Sequence, residues 1–206
     1  MLKPFAALLL SAVLAGPALA GALEDASALC SDPMTTGPEK REQMLRYGFT
    51  PAQADPQGAL GDLAMAHILP FTSDLPDLEA RFAAAPVLAG NIARMIAEGT
   101  ISLWQREGAL LAFSIGQTPE GTEHVTCLFA GPPSDDLQTM FGRYGEPEDL
   151  PHLETLALRF DETAINMQTE TRYRMISIWS RLTSDPPRTP LADAYRLERI
   201  EEPADG

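Results

Sequence analysis

The stretch that decides the fold is Thr100-Ile101-Ser102-Leu103-Trp104-Gln105-Arg106, Glu107-Gly108, then Ala109-Leu110-Leu111-Ala112-Phe113-Ser114-Ile115. Before Gly99, apolar residues recur every three or four positions. From Thr100 onward they alternate, so the period drops from that of a helix to that of a strand. Thr100 to Arg106 is one strand, and Leu110 to Ile115 is the next, with Leu111, Phe113 and Ile115 on one face. Glu107-Gly108 between them suits a two-residue hairpin. After the turn-forming Gly116 to Gly121, His124 to Ala130 makes a third strand with Val125, Cys127 and Phe129 pointing inward. These three segments read as an antiparallel meander.

Working downstream, Pro132-Pro133-Ser134 stops the sheet and starts a helix. Ser134 sits at its cap, and Asp135 and Asp136 lie where the helix dipole favours negative charge. Leu137, Met140, Phe141 and Tyr144 form its apolar face, and Gly145 ends it. Thr155 to Phe160 is a fourth strand and Arg172 to Arg181 a fifth. Tyr195 to Ile200 is a sixth candidate, although the same residues tolerate a helix.

Upstream the pattern is helical. Leu23 to Cys30 forms a short helix. Thr36 and Glu39 match a capping box for a helix that runs to about Tyr47 and ends at Gly48. Asp74 caps a further helix bearing Leu78 and Phe82, and Pro86 opens another at its first turn. Leu88, Ile92, Met95 and Ile96 form the core stripe of that helix, closed by Gly99. The expected class is α+β: N-terminal helices packed on an antiparallel sheet of about five to six strands with one inserted helix. The helices and one apolar sheet face are expected to share one core.

The first twenty residues stand apart. Met1-Leu2-Lys3 carries one positive charge, Phe5 to Leu14 is apolar except for Ser11, Gly16-Pro17 breaks a helix, and Ala18-Leu19-Ala20 presents small residues for a peptidase. This is the secretory signal pattern, and the apolar run is about half the length needed to span a bilayer. Cleavage after Ala20 leaves Gly21 first; Ala20-Gly21-Ala22 offers a second cut before Leu23. Residues 1–20 read as a signal peptide, 21–200 as a single globular α+β domain, and 201–206 as a flexible C-terminal tail.

The full chain of 206 residues has 15 basic and 29 acidic residues and a formal charge of −14. Losing Lys3 with the leader makes the remainder one unit more negative. Such a charge repels nucleic-acid backbones and anionic membrane surfaces. Only Lys3 and Lys40 are lysines; every other basic residue is arginine. With the high Ala, Pro and Gly content this points to a GC-rich bacterial genome, and with the leader to the periplasm or the medium.

Cys30 and Cys127 are the only cysteines. In an oxidising compartment an even pair reads as a disulfide. Closing a loop of about 100 residues stabilises by roughly 4–5 kcal/mol in the chain-entropy account.

Chemistry-bearing motifs are sparse. There is no G-x-S-x-G and no C-x-x-C, and Pro56 to Gly61 reads as a surface turn rather than a phosphate loop. The three histidines, His67, His124 and His152, share no helix at metal-binding spacing. His152-Leu153-Glu154 puts two ligand types on one side of an extended segment, but a closed zinc site needs four ligands. No metal or cofactor is implied. Arg172 and Arg174 share a strand face, and Arg159 is expected across from them; together they are the candidate anion site. The plainer reading of that face is charges paired with Glu170 and Asp161. Trp104 and Trp179 lie in apolar strands and read as core.

The functional expectation is therefore an exported periplasmic protein, a non-catalytic accessory or binding module, with a periplasmic protein as one conceivable partner. The alternative is a small periplasmic hydrolase whose site is assembled from distant residues, His124 or His152 beside Asp or Glu.

Overall fold

The computed structural model describes residues 21–33, 37–71 and 77–202. The leader, the Thr36 cap, the Asp74 cap and residues 203–206 of the tail lie outside the described residues.

The elements run α1 (Ala22–Ser31), α2 (Gly37–Arg46), β1 (Thr50–Pro51), α3 (Ala59–Phe71), α4 (Leu78–Ala97), β2 (Ser102–Arg106), β3 (Ala109–Gln117), β4 (Glu123–Gly131), α5 (Asp135–Tyr144), β5 (Glu148–Leu150), β6 (Thr155–Ile165), β7 (Arg172–Leu182) and β8 (Asp193–Glu201). A single 3-10 turn, Pro151–Leu153, separates β5 from β6. The strands form one antiparallel sheet in the order β1-β2-β3-β4-β8-β7-β6-β5. The class is α+β, but the sheet has eight strands rather than five or six. The two extra strands, β1 and β5, span two and three residues at the sheet edges. That is too short to display a period.

Four further expectations are corrected. The segment expected to be only a turn, Pro56 to Gly61, leads directly into α3. Its Ala59 to Ile68 stretch is apolar almost all round, so it carries no amphipathic signal. The two helices expected before Gly99 are one, because α4 runs through Pro86 without a break. Its N-cap is Asp77, whose carboxylate accepts from the Ala80 amide at 2.8 Å. Tyr195 to Ile200 is a strand, the first of the two readings open for it, but it runs from Asp193 to Glu201 and so takes in the first residue of the expected tail. β6 extends five residues beyond the expected end at Phe160; Asp161-Glu162-Thr163-Ala164-Ile165 opens with two charges and lacks a clear apolar alternation.

The helices cover both faces of the sheet, so there are two cores rather than one. On one face α1 and α5 pack over Leu111, Phe113, Cys127, Phe129, Trp179 and Tyr195. On the other, α3 packs over the sheet and α4 packs along α3, in a core that includes Leu103, Leu110, Ala112, Ala130 and Ala194. This explains the near-continuous apolar run Ala109 to Phe113: it is buried on both sides, as in a central strand of a three-layer fold. β8, the last strand in sequence, lies fifth from the β1 edge and fourth from the β5 edge, pairing with β4 and β7, and its residues Asp193 to Tyr195 are all buried.

Cys30 and Cys127 are joined as a disulfide, S–S 2.11 Å. It ties the last turn of α1 to the middle of β4. Lys40 of α2 completes that corner: its ammonium donates to the Leu29 and Asp32 carbonyls, 2.7 Å for the latter. These are among the carbonyls that the end of α1 leaves without helical partners.

Among the described residues no helix is long and apolar enough to cross a membrane.

Candidate functional site

At the closed end of the β2–β3 hairpin lies a cleft of about 900 Å³. Three pieces of chain position it. The hairpin turn is Glu107-Gly108, both with positive φ (53° and 79°). That is the conformation a two-residue turn needs to match strand twist. The first turn of α3 contributes Ala59 and Asp62. The irregular connection before β8 contributes Pro190 and Leu191. The latter two pieces are tied together, since the Thr189 hydroxyl donates to Asp62 Oδ1 at 3.0 Å and accepts from the Leu191 amide at 3.2 Å.

The rear wall is held by a buried ion pair. Arg106, at the end of β2, donates to Asp25 Oδ2 of α1 at 2.5 Å, to the Tyr47 carbonyl at 2.8 Å and to Glu107 at 3.2 Å. Both Arg106 and Asp25 are more than nine-tenths buried. Burial pushes the Asp25 carboxyl up, and the Arg106 hydrogen bond offsets that only in part; neighbouring Glu24 and Asp136 push it further in the same direction. The guanidinium also stands over the Phe49 ring, 5.8 Å from its centre.

The cleft walls are largely apolar: Ala59, Ala109, Leu110, Pro132 and Leu191. Its charged groups are the Asp62 and Glu107 carboxylates and the internally engaged Arg106. Among the described residues no His, Ser or Cys lines it. The arrangement offers an apolar seat with acceptors at the edge, which suits holding a ligand.

The residues singled out from sequence lie elsewhere. Arg172 and Arg174 are exposed neighbours on one face of β7, opposite Ile165 and Thr163. Arg159 shares that face but pairs with Ile178, about 13 Å along the strand from the level of Arg174 at 3.3 Å per residue. Its guanidinium is engaged with the Asp161 carboxylate at 3.1 and 3.2 Å. The structure brings Arg172 and Arg174 together and leaves Arg159 apart.

The histidines are dispersed. His67 is fully enclosed beneath β4, with Nε2 2.9 Å from the Phe129 carbonyl; burial lowers its pKa to about 3 and keeps it neutral. His124 lies on β4 with Thr126 Oγ1 at 3.5 Å. His152 is exposed in the 3-10 turn. Glu154 after it has φ 48°, so the expected extended His-x-Glu arrangement does not form. The Glu154 carboxylate instead accepts from Arg188 at 3.2 and 3.3 Å. Among the described residues no group of three or more His, Cys, Asp or Glu is placed to hold a metal ion.

Trp179 is buried core, stacked between Tyr144 at 4.6 Å and Tyr195 at 5.4 Å. Trp104 is likewise buried, its Nε1 donating to Ser102. No family model, no curated protein and no solved structure matches the chain.

The cleft was missed by sequence reasoning because its parts come from residues 48–62, 105–110, 132 and 190–191. Glu107-Gly108 was read as a turn, which it is, but a turn residue carries no sign of what will stand beside it.

Proposed function

We propose that the protein is an exported, disulfide-stabilised binding module of the bacterial periplasm, and that its binding surface is the cleft beside the β2–β3 turn. The leader pattern and the Cys30–Cys127 bridge support the compartment. The observation that carries the binding reading is an apolar cleft of about 900 Å³ edged by Asp62 and Glu107. Those carboxylates, on a chain of net charge −14, favour a ligand or partner segment with an apolar body and a cationic end.

Two measurements test this. Fractionation of the native host with intact-mass analysis locates the protein; a chain in the cytosol still beginning at Met1 overturns export. Amide NMR titration with octylammonium and, separately, octanoate tests the cleft. Octylammonium is expected to shift Thr50, Gln105 to Leu110 and Leu191, and Asp62→Asn with Glu107→Gln to weaken it at least several-fold. Equal response to both probes, or shifts confined to other surfaces, rejects the reading.

A further inference from the structure

We infer that export processing cuts the chain between Ala20 and Gly21, and that the α-amino group so made forms an ion pair with the Asp136 carboxylate at the start of α1. The inference rests on the export reading above and adds to it a cleavage position and a purpose for the new terminus. In the step, water adds across the Ala20–Gly21 amide; Ala20 keeps a carboxylate on the leader and Gly21 gains a protonated amine.

The local geometry separates the two sequence-compatible cuts. Gly21 is the extended N-cap of α1, and its carbonyl accepts the first helical bond, from the Asp25 amide at 3.1 Å. A cut before Leu23 removes the cap and that bond together; a cut before Gly21 keeps both.

The partner is already in place. Asp136, in the first turn of α5, accepts from the Leu23 and Glu24 amides at 3.3 and 3.5 Å. The same carboxylate lies against the Gly21 α-carbon so closely that a Cβ there would overlap it. The nitrogen on that α-carbon is thereby placed beside the Asp136 carboxylate, which the titration below tests as its partner.

The surrounding charge favours a cation. Glu107 of the hairpin turn and Asp136 of α5 line this corner, and Glu24 and Asp25 lie in the same first turn of α1. The nearby guanidinium groups are already engaged, Arg143 with Glu24 at 2.7 Å and Arg106 with Asp25 and Glu107. The Asp25 carboxyl is raised chiefly by its burial, Arg106 opposes that, and Glu24 and Asp136 add smaller upward contributions. An ammonium at a helix N-terminus is opposed by the helix dipole, and Asp136 offsets that opposition. Gly21 lines a hollow of about 230 Å³ that shares Glu107, Ala109 and Pro132 with the cleft, so the cut is made beside the proposed binding surface.

The composition makes the test unusually clean. Once Lys3 is removed, Lys40 is the only lysine left, and its side chain is fully buried on the α1 carbonyls. The folded mature protein thus presents a single reactive amine. Protein isolated from the exporting cell is measured by intact mass. It is then trace-labelled with acetic anhydride across pH 6–11, the label being assigned to the Gly21 peptide by mapping. The expected result is a Gly21 start and a titration midpoint raised by about one unit or more above the ordinary 7.7–8.0 of an α-amino group. Asp136→Asn is expected to return the midpoint to that range, and Asp135→Asn to leave it raised. A Leu23 start, or a wild-type midpoint near 8, overturns the inference while leaving export intact; a Met1 start overturns export itself. If Asp136→Asn loses its circular dichroism signal, the wild-type midpoint decides alone.

Discussion

Arg106 and Asp25 show how much a single buried residue decides in this protein. The pair is enclosed, so its worth lies mainly in what happens when it is broken. Arg106→Met leaves the Asp25 carboxylate buried without its partner and is expected to cost about 3–5 kcal/mol, while the double variant Arg106→Met/Asp25→Leu recovers most of that. Urea denaturation of the three variants measures it, and a single-variant loss under 1 kcal/mol contradicts the assignment. His67 provides a pH test. Its folded pKa is lowered to about 3 from an ordinary 6.5, so the unfolded chain binds a proton first as pH falls. Stability is therefore expected to drop by about 1.4 kcal/mol per pH unit below 6.5 down toward 3. His67→Gln removes that component of the slope, and an unchanged slope rejects it. Neither residue announced its role in the sequence. A lone histidine in an apolar helix and an arginine at a strand end are common, and their burial depends on what packs over them.

At the scale of elements, local rules served where an element carries its own signal. The β2–β3 hairpin was legible because Gly108 takes positive φ without steric cost between two alternating runs, and the register that follows pairs Arg106 with Ala109. α5 was legible from its acidic first turn and its Leu137, Met140, Phe141 face. Its cap works differently from expectation, however. Ser134 makes no side-chain cap; its amide and hydroxyl both donate to Asp193 Oδ2, at 2.7 and 3.2 Å. Pro86 misled because proline usually opens a helix, whereas here packing of α4 along α3, with Ala85, Ala89 and Ile92 buried, carries the helix through it. Pro86 is exposed and its ring removes one helical bond, so Pro86→Ala is expected to stabilise by about 1–3 kcal/mol, read as a raised urea midpoint. The disulfide joins α1 to β4, and its removal in Cys30→Ser/Cys127→Ser is expected to cost up to roughly 4–5 kcal/mol. Hydrogen exchange is expected to rise in α1 first, where the bridge and Lys40 hold the last turn; uniform loss of protection across the sheet argues against that local role.

Over the whole molecule, the decisive fact is that the last strand in sequence is an inner strand of the sheet. β8 bonds along its length to β4 and β7, so two halves of the chain become one sheet only when the C-terminal segment inserts. A chain ending at Pro190 is expected to lose cooperative unfolding, measured by circular dichroism melting; a truncated form that still melts sharply shows that the sheet halves stand without it. By itself the sequence determined the α+β class, the antiparallel meander, α5, the cysteine pair and the leader pattern. Each of these is written in residues close in the chain, or in a count too small to allow a second pairing. Only the tertiary structure decided the helices on both faces, the place of β8, the separation of Arg159 from Arg172 and Arg174, and the cleft. Those features depend on which surfaces meet across many residues, and side-chain period says that a face is buried without saying by what.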